Sequence, residues 1–322
     1  MGPSLKPISP AVPLIPLLSY EEPSQGPLKR QKFDRCCLGS LPGDLFGIIG
    51  KSVVPQEAFV FPFIAKSLPF PRVKVKQIDV ITHAAKNGQL SLIKWLHNTF
   101  GWPWHAKICA AAARGGHIEI LQWLRTNGCP WDKWTCYAAA EKGHFEILQW
   151  AHANNCPWDE MMCSAAAERG NLNMLQWLRE KNCPWNRKTC DSAAEGGFFN
   201  ILKWARENGC PWSKNTCAAA ARGGHIEILQ WLRDNGCPWC PATCHAAAEA
   251  GHLEVLQWAH AQGCPWDKWS CSSAARKGHF KILQWLRASG CPWDWWTLEC
   301  AEVFGHHEIL EWARANGCPQ KN

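Results

Sequence analysis

The 322-residue sequence lacks any run of about 18 consecutive apolar residues, the length that a membrane-spanning helix requires. It also lacks a secretory signal, because the apolar stretch from Ala11 to Leu18 is interrupted by Pro13 and Pro16 and is preceded by a single cationic side chain, Lys6. Without membrane insertion or export, we expect an intracellular protein, cytoplasmic or nuclear. Its 19 cysteines are then expected to remain thiols, since the cytosol keeps cysteines reduced.

The chain also lacks the motifs that carry most enzyme chemistry. It has no Gly-rich phosphate-binding loop, no nucleophile elbow and no paired-carboxylate constellation. No strong excess of one charge is present either, because 34 Lys and Arg stand against 27 Asp and Glu, which is too dilute for a nucleic-acid-binding surface. We therefore predict a protein that is not an enzyme, requires no cofactor and binds no small-molecule substrate, with proteins rather than nucleic acid as partners.

Tyrosine is nearly missing, with 2 residues against 22 Trp, an imbalance that indicates duplication of one unit. Seven copies of Cys-Pro-Trp follow one another at steps of 27 residues, beginning at Cys129, Cys156, Cys183, Cys210, Cys237, Cys264 and Cys291. Altered copies at Trp102 and Cys318 keep this step. A glycine ladder from Gly116 to Gly305 has the same period, whereas Gly88 precedes Gly116 by 28 residues, so the first copy carries one extra residue.

Each copy contains the signals for two helices, called helix A and helix B below. Helix A follows an N-capping residue such as Asp132, continues through an Ala-rich segment and ends at a glycine such as Gly143. Helix B, for example Phe145 to Ala151, has apolar residues on more than one face and ends at Gly or Asn shortly before a proline. Because two helices and two short loops occupy the whole repeat, no strand of ordinary length fits. We therefore predict an all-α fold, a helix-turn-helix repeat solenoid of about nine helix pairs over residues 77–322.

The repeat resembles a known family. The segment from Gly116 to Gly128 is similar to the second-helix signature of ankyrin repeats, and Thr135 to Ala139 resembles the start of their first helix. The resemblance extends from Asp79 to Cys318, with Cys136 and Tyr137 in place of the family's Pro and Leu. The period is shorter than the usual ~33 residues, because the residues that would extend a β-hairpin finger are missing. The resemblance implies a curved stack that binds other proteins along its concave face, through first helices and finger tips.

Recurrent cysteines raise the hypothesis of a metal site. Each copy has a loop cysteine and, in most copies, another seven residues later, as at Cys129 and Cys136. Equivalent positions of stacked repeats lie about 8–10 Å apart, too far for a shared tetrahedral zinc site or for a disulfide between like positions. We therefore predict buried free thiols and no metal, while a disulfide between a loop cysteine and a helix cysteine stays open.

Histidines and tryptophans also recur at fixed positions. One imidazole per copy does not converge on a substrate, so we predict hydrogen-bonded turn residues at His117, His144, His225, His252, His279 and His306. One tryptophan ladder lies on helix B, at Trp123, Trp150, Trp177, Trp204, Trp231, Trp258, Trp285 and Trp312. A second lies in the loops, at Trp131, Trp158, Trp185, Trp212, Trp239, Trp266 and Trp293. We predict that both join repeat to repeat in the core, and for the loop ladder an exposed stripe that stacks on single-stranded bases is the alternative.

Positions that vary between copies are the candidates for partner binding, because positions that contact neighbouring repeats must stay uniform. Two rows at the start of helix A vary and mix charged with aromatic residues, as binding hot spots do. The predicted partner-binding residues are Trp134, Tyr137, Met161, Ser164, Lys188, Asp191, Asn215, His245, Trp269, Ser272, Trp296 and Glu299. Unselected variation on a solvated face is the alternative.

The residues before the array divide into two segments. We predict a disordered Pro-rich leader over residues 1–40 and a small helical or capping segment over residues 41–76. Leu41 to Phe46, followed by Ile64 to Leu68, resembles an F-box, which implies a substrate-recognition adaptor of a ubiquitin ligase as an alternative function. Pro55, Pro62 and Pro69 favour the capping segment instead, because they interrupt helices. At the other end, the polar second helix around His307 leads us to expect a complete array.

Overall fold

A computed structural model describes residues 77–321, and those residues form 18 helices in nine pairs without a strand. The helix A members are α1 (Gln77–Lys86), α3 (Ala106–Gly115), α5 (Lys133–Lys142), α7 (Met161–Glu168), α9 (Arg187–Glu195), α11 (Lys214–Gly223), α13 (Pro241–Ala250), α15 (Lys268–Lys277) and α17 (Trp295–Val303). The helix B members are α2 (Leu90–Phe100), α4 (Ile118–Thr126), α6 (Phe145–Ala153), α8 (Leu172–Glu180), α10 (Phe199–Glu207), α12 (Ile226–Asp234), α14 (Leu253–Ala261), α16 (Phe280–Ala288) and α18 (His307–Ala315). The predicted all-α repeat solenoid is confirmed.

Helix A begins and ends where the capping signals predict. At α5, the Asp132 side chain accepts a hydrogen bond from Trp134 N, and Gly143 ends the helix with a left-handed φ of 77°. Ser213 forms a reciprocal capping box with Thr216 at α11. In α13 the cap position is Cys240, which makes no side-chain capping bond, and Pro241 occupies the first turn instead.

Helix B ends in a left-handed turn in every pair. Gly128 has a φ of 77°, which lets Cys129 N donate to Leu124 O at 2.9 Å. Asn155 and Asn182 take the same left-handed conformation, with φ of 61° and 58°, because asparagine tolerates it better than other side chains do. The extra residue of the first copy lies in α2, which has 11 residues against 9 in α4.

The core consists of small and branched apolar side chains shared by adjacent pairs. Each helix A contacts the helix A of the next pair, and α11 and α13 are among these neighbours. Its buried face is rich in alanine and cysteine, which allows this close approach. Helix B contributes Ile and Leu, such as the fully buried Leu148. A single pair could not bury both of its apolar sides, so each pair depends on its neighbours.

The recurrent histidines connect each pair to the preceding one. His252 Nε2 lies 3.0 Å from Arg222 O, at the end of the preceding helix A, and five other histidines make the equivalent contact. Where Asn171 replaces the histidine, Arg169 Nε donates to Glu141 O at 2.6 Å, which is the equivalent carbonyl. The prediction of hydrogen-bonded turn residues is confirmed, and the acceptor lies in the neighbouring repeat.

Both tryptophan ladders join neighbouring repeats, but their indoles are half-buried rather than part of the fully buried core. The loop residue Trp131 contacts Trp150 of the next helix B edge to face, with ring centroids 5.7 Å apart. Arg125 covers Trp131, with its guanidinium carbon 4.2 Å from the ring centroid. Arginines cover four further loop indoles in the same way, whereas His152 stacks on Trp158 at 3.9 Å. The loop ladder is therefore partly covered by basic side chains.

The predicted leader (1–40), the F-box-like or capping segment (41–76) and residue 322 lie outside the described residues. Among residues 77–321, no helix combines the length and the apolar character needed to cross a bilayer.

Candidate partner-binding surface

The first predicted row consists of residues whose amide groups are held by the helix A caps. Asp132 Oδ1 accepts from Trp134 N at 3.0 Å, and Asp267 Oδ1 accepts from Trp269 N at the same distance. Equivalent bonds hold Met161, Lys188, Asn215 and Trp296. Because one cap places each of these residues, the row has the same position in six repeats, and its side chains differ.

Three indoles of this first row are exposed. Trp134 and Trp269 are each 47% exposed and Trp296 is 39% exposed, which is unusual for tryptophan. Lys188 and Asn215 are exposed as well, while Met161 is half-buried. The structure thus places the first row on the outer side of the helix A layer.

The second predicted row lies one turn later, between adjacent A helices, and is less exposed. Tyr137, Ser164, Asp191, His245 and Glu299 are half-buried. Ser272 is an exception to the predicted surface, since it is only 4% exposed and its hydroxyl donates to Trp269 O at 3.1 Å. Because its hydroxyl is hydrogen-bonded within the helix, Ser272 lies beneath the exposed residues of the row and is not expected to bind a partner through that hydroxyl.

Ion pairs connect neighbouring A helices across this face. Arg276 Nη2 lies 2.5 Å from Glu249 Oε1, and Arg222 Nη1 lies 3.5 Å from Glu195 Oε2. Lys133 and Lys268 make equivalent pairs with the cap aspartate of the next repeat, each at 2.8 Å. Such exposed pairs contribute little stability, typically below about 1 kcal/mol. They arrange the charges of the face in a regular pattern.

Two second-row residues, Asp191 and His245, each make a polar contact with the next repeat. The Thr216 hydroxyl donates to Asp191 Oδ1 at 2.5 Å, and His245 Nε2 lies 2.5 Å from Asp267 Oδ1. Burial raises the pKa of the Asp191 carboxyl, and the bond from Thr216 opposes that shift. The protonation of Asp191 therefore depends on its half-buried position beside the next A helix.

The cysteines form buried pairs of a kind that the sequence left open. A helix A cysteine contacts the loop cysteine of its own repeat, as at Cys109 and Cys129, whose sulfurs lie 3.5 Å apart. The same positions interact in six further repeats, at Cys136 and Cys156, Cys163 and Cys183, Cys190 and Cys210, Cys217 and Cys237, Cys244 and Cys264, and Cys271 and Cys291. All 17 described cysteines are free thiols. Among residues 77–321, no group of three or more potential metal ligands occurs.

The two thiols of a pair differ in acidity. The hydrogen bond from the helix A cysteine lowers the pKa of loop cysteines such as Cys129 and Cys210, whereas the pKa of most helix A thiols is raised. The hydrogen bond that Cys136 donates to Cys156 and burial both raise the pKa of the Cys136 thiol well above its usual value. Cys318 has no cysteine partner because Leu298 occupies the helix A position, and burial raises its pKa to about 11. Since the thiolate is the reactive form, the helix A thiols with a raised pKa, such as Cys136, serve as small apolar side chains.

Sequence reasoning missed the apolar residues that end α17. Val303, the last residue of α17, is 68% exposed, and Phe304, which follows it, is 56% exposed. At the position of Val303, the seven preceding repeats carry Arg or Glu, such as Arg276 and Glu249. This departure from the repeat could have been detected in the sequence, because an apolar residue stands at a position that is otherwise charged.

Comparison with protein families identifies the same repeat. A model described as ankyrin repeats (many copies) matches residues 81–125, 136–179 and 244–287, which include helices of both kinds. No curated protein gives a significant match to the chain.

Proposed function

We propose that this chain is a non-enzymatic scaffold that binds protein partners on its helix A face, because its repeats match the ankyrin-repeat family, whose repeats are protein–protein interaction modules. The exposed first row carries the proposal. Three capped and exposed indoles lie among charged residues on a face whose backbone is held rigidly by neighbouring repeats. Aromatic anchors on a rigid surface bind with little loss of conformational entropy.

The second row supplies the polar part of the proposed surface. Half-buried groups such as Tyr137, Asp191 and His245 lie between the A helices and have part of their surface free. Trp134 and Tyr137 contact each other edge to face, with ring centroids 5.6 Å apart, so each limits the freedom of the other. Partner contacts at these positions would differ from repeat to repeat, which gives specificity.

The opposite side of the array is less suited to selective binding. Its loop and helix B indoles are half-buried against each other and against arginine side chains, and they recur with little variation. Free thiols at all 17 described cysteines support the proposal of a reducing, intracellular location.

The test is a comparison of partners captured by the full-length protein and by variants of the first row. We expect Trp134→Ala, Trp269→Ala and Trp296→Ala together to abolish capture of the specific partners, while thermal unfolding stays close to that of the parent. A matched control changes three exposed helix B residues, Gln122, Gln149 and Gln257, to alanine. Partner sets that remain the same after the tryptophan substitutions, or that respond equally to the glutamine substitutions, would rule out the helix A face.

A further inference from the structure

A cavity of about 520 Å³ opens on the helix A face, between the last four A helices. It is lined by residues of α11, α13, α15 and α17 and by Phe304, which follows α17. Its volume falls within the range of binding pockets, which is about 300–1,000 Å³. The cavity thus has room for one or two side chains of a partner.

The shape of the cavity follows from side-chain size. Ala242 occupies the first-row position that holds Trp269 and Trp296 in the next two repeats, so it leaves space beside them. The buried Ala246 belongs to the lining together with these exposed indoles, and Phe304 contributes a third aromatic ring. Small residues and large aromatic ones therefore form the apolar part of a recess of the kind in which binding hot spots are found, and polar side chains line the rest.

The charged residues at the cavity are mainly basic. Arg222 and Arg276 line it, against a single lining carboxylate, Glu249, which is already paired with Arg276 at 2.5 Å. Arg222 is paired with Glu195 at the longer distance of 3.5 Å. The Nε of Arg276 is buried and has no hydrogen-bond partner. A guanidinium has more donors than one carboxylate uses, so both arginines can bind further acceptors.

We propose that this cavity binds an acidic segment of a partner protein, which inserts an aromatic or aliphatic side chain beside Trp269 and Trp296 and places carboxylates on Arg222 and Arg276. The inference rests on the proposed function, because it names the chemistry of a partner on the same face. Apolar anchor and acidic flank are both needed, since the recess is lined both by aromatic rings and by arginine side chains. A single-stranded nucleic acid would meet the same arginines, but two arginines are too few to follow a phosphate backbone along a strand.

The repeat architecture supplies a closely matched control at the other end of the array. Trp134 and Trp269 are equally exposed, and each follows an equivalent capping aspartate. The preceding lysines, Lys133 and Lys268, lie 5.7 Å and 5.6 Å from the respective ring centroids. Trp269 lines the cavity. A difference between Trp134→Ala and Trp269→Ala therefore reports on the cavity rather than on tryptophan exposure in general.

The experiment selects binders for the full-length protein from a phage-displayed library of random 12-residue peptides. We expect the selected peptides to combine Asp or Glu with Phe, Leu or Trp, and to bind more weakly as salt concentration rises. Trp269→Ala should weaken their binding about tenfold or more, as loss of a hot-spot residue does, while Trp134→Ala should change it less than about twofold. The double variant Arg222→Gln with Arg276→Gln should weaken acidic peptides and leave a neutral analogue with the same anchor unchanged.

Other outcomes separate this inference from the proposed function. An equal loss of peptide binding in Trp134→Ala and Trp269→Ala would rule out the cavity as the binding site. It would still agree with binding elsewhere on the helix A face. Selection of basic peptides, failure to select any peptide, or displacement by an oligothymidine competitor would overturn the acidic-segment proposal. Circular dichroism and thermal unfolding of each variant would show whether a loss of binding reflects a loss of fold.

Discussion

The A helices and the B helices differ in how closely they approach their neighbours. The backbones of consecutive A helices lie close together, as those of α11 and α13 do, whereas the backbones of consecutive B helices lie farther apart. The reason is side-chain size, because the A helices face one another with Ala, Cys and Ser and the B helices carry Ile, Leu and Trp. The indoles of the loops and of helix B occupy the wider space on that side, as Trp131 and Trp150 do.

This difference assigns separate roles to the two layers. The B helices and loops hold the repeats together through large uniform side chains. The A helices hold the repeats at close distance through small buried residues, which leaves their outer side free to vary, as Lys188 and Trp269 do. Three substitutions test this division, from the buried layer to the exposed face.

The largest effect is expected in the apolar layer of helix B. Leu148→Ala should lower the free energy of unfolding by about 2–5 kcal/mol, because it leaves a cavity at a fully buried position shared by neighbouring repeats. Its exposed neighbour Gln149, changed to alanine, is the control and should alter stability by less than about 0.5 kcal/mol. Urea unfolding followed by circular dichroism measures both. Similar losses for the two variants would contradict the assignment of this layer to stability.

A smaller effect is expected at the glycine that ends helix A. Gly116→Ala and Gly128→Ala both place alanine at a left-handed φ, which costs about 1–2 kcal/mol. At Gly116 the new Cβ would also lie 2.7 Å from the His144 ring, whereas at Gly128 no atom lies within 4 Å. Gly116→Ala should therefore be the more destabilising by about another 1 kcal/mol, since it also disturbs the His144 contact with Arg114 O. Equal losses in urea unfolding would show that the histidine ladder does not stabilise the repeat contact.

The smallest effect is expected at Asp191 on the helix A face, and it depends on pH. Burial raises the pKa of this carboxyl in the folded protein, so the folded state binds protons more tightly than the unfolded one. Stability from this group is present at low pH and decreases as pH rises through the ordinary aspartate pKa towards the raised folded value. The free energy of unfolding of Asp191→Asn should therefore increase relative to that of the parent as the pH rises from about 3 to about 7. Asp234→Asn, at an exposed aspartate, controls for the loss of one charge, and an equal gain there would contradict the role of burial.

Much of the fold could be predicted because its signals are local. Asp132 and Gly143 mark the ends of α5 by their own chemistry, and the same signals recur in nearly every copy. The acceptor of His252 could not be predicted, since Arg222 O belongs to another repeat and nothing near His252 in sequence indicates it. The pairing of Cys129 with Cys109, rather than with the nearer Cys136, likewise required the packing of helix A against its own loop.

The sequence predicted which positions form the candidate surface, but it did not predict how deeply each side chain is buried. The exposed first row was identified from its variability, whereas the burial of Ser272 and the recess beside Ala242 depend on how closely the A helices approach. Phe304 was missed because it lies beyond the two rows, although the loss of the repeat pattern near Val303 could have indicated it.

The sequence by itself determined the helix boundaries, the period and the family, because capping, glycine conformation and apolar spacing act within a few residues of the chain. Only the tertiary structure decided which groups meet: the histidine contacts between repeats, the thiol pairs within repeats, the partial cover of the indoles and the cavity on the helix A face. The histidine contacts and the thiol pairs join residues that lie far apart in sequence, as His252 and Arg222 do. Their geometry depends on the distance between helices, which the summed sizes of many buried side chains set together.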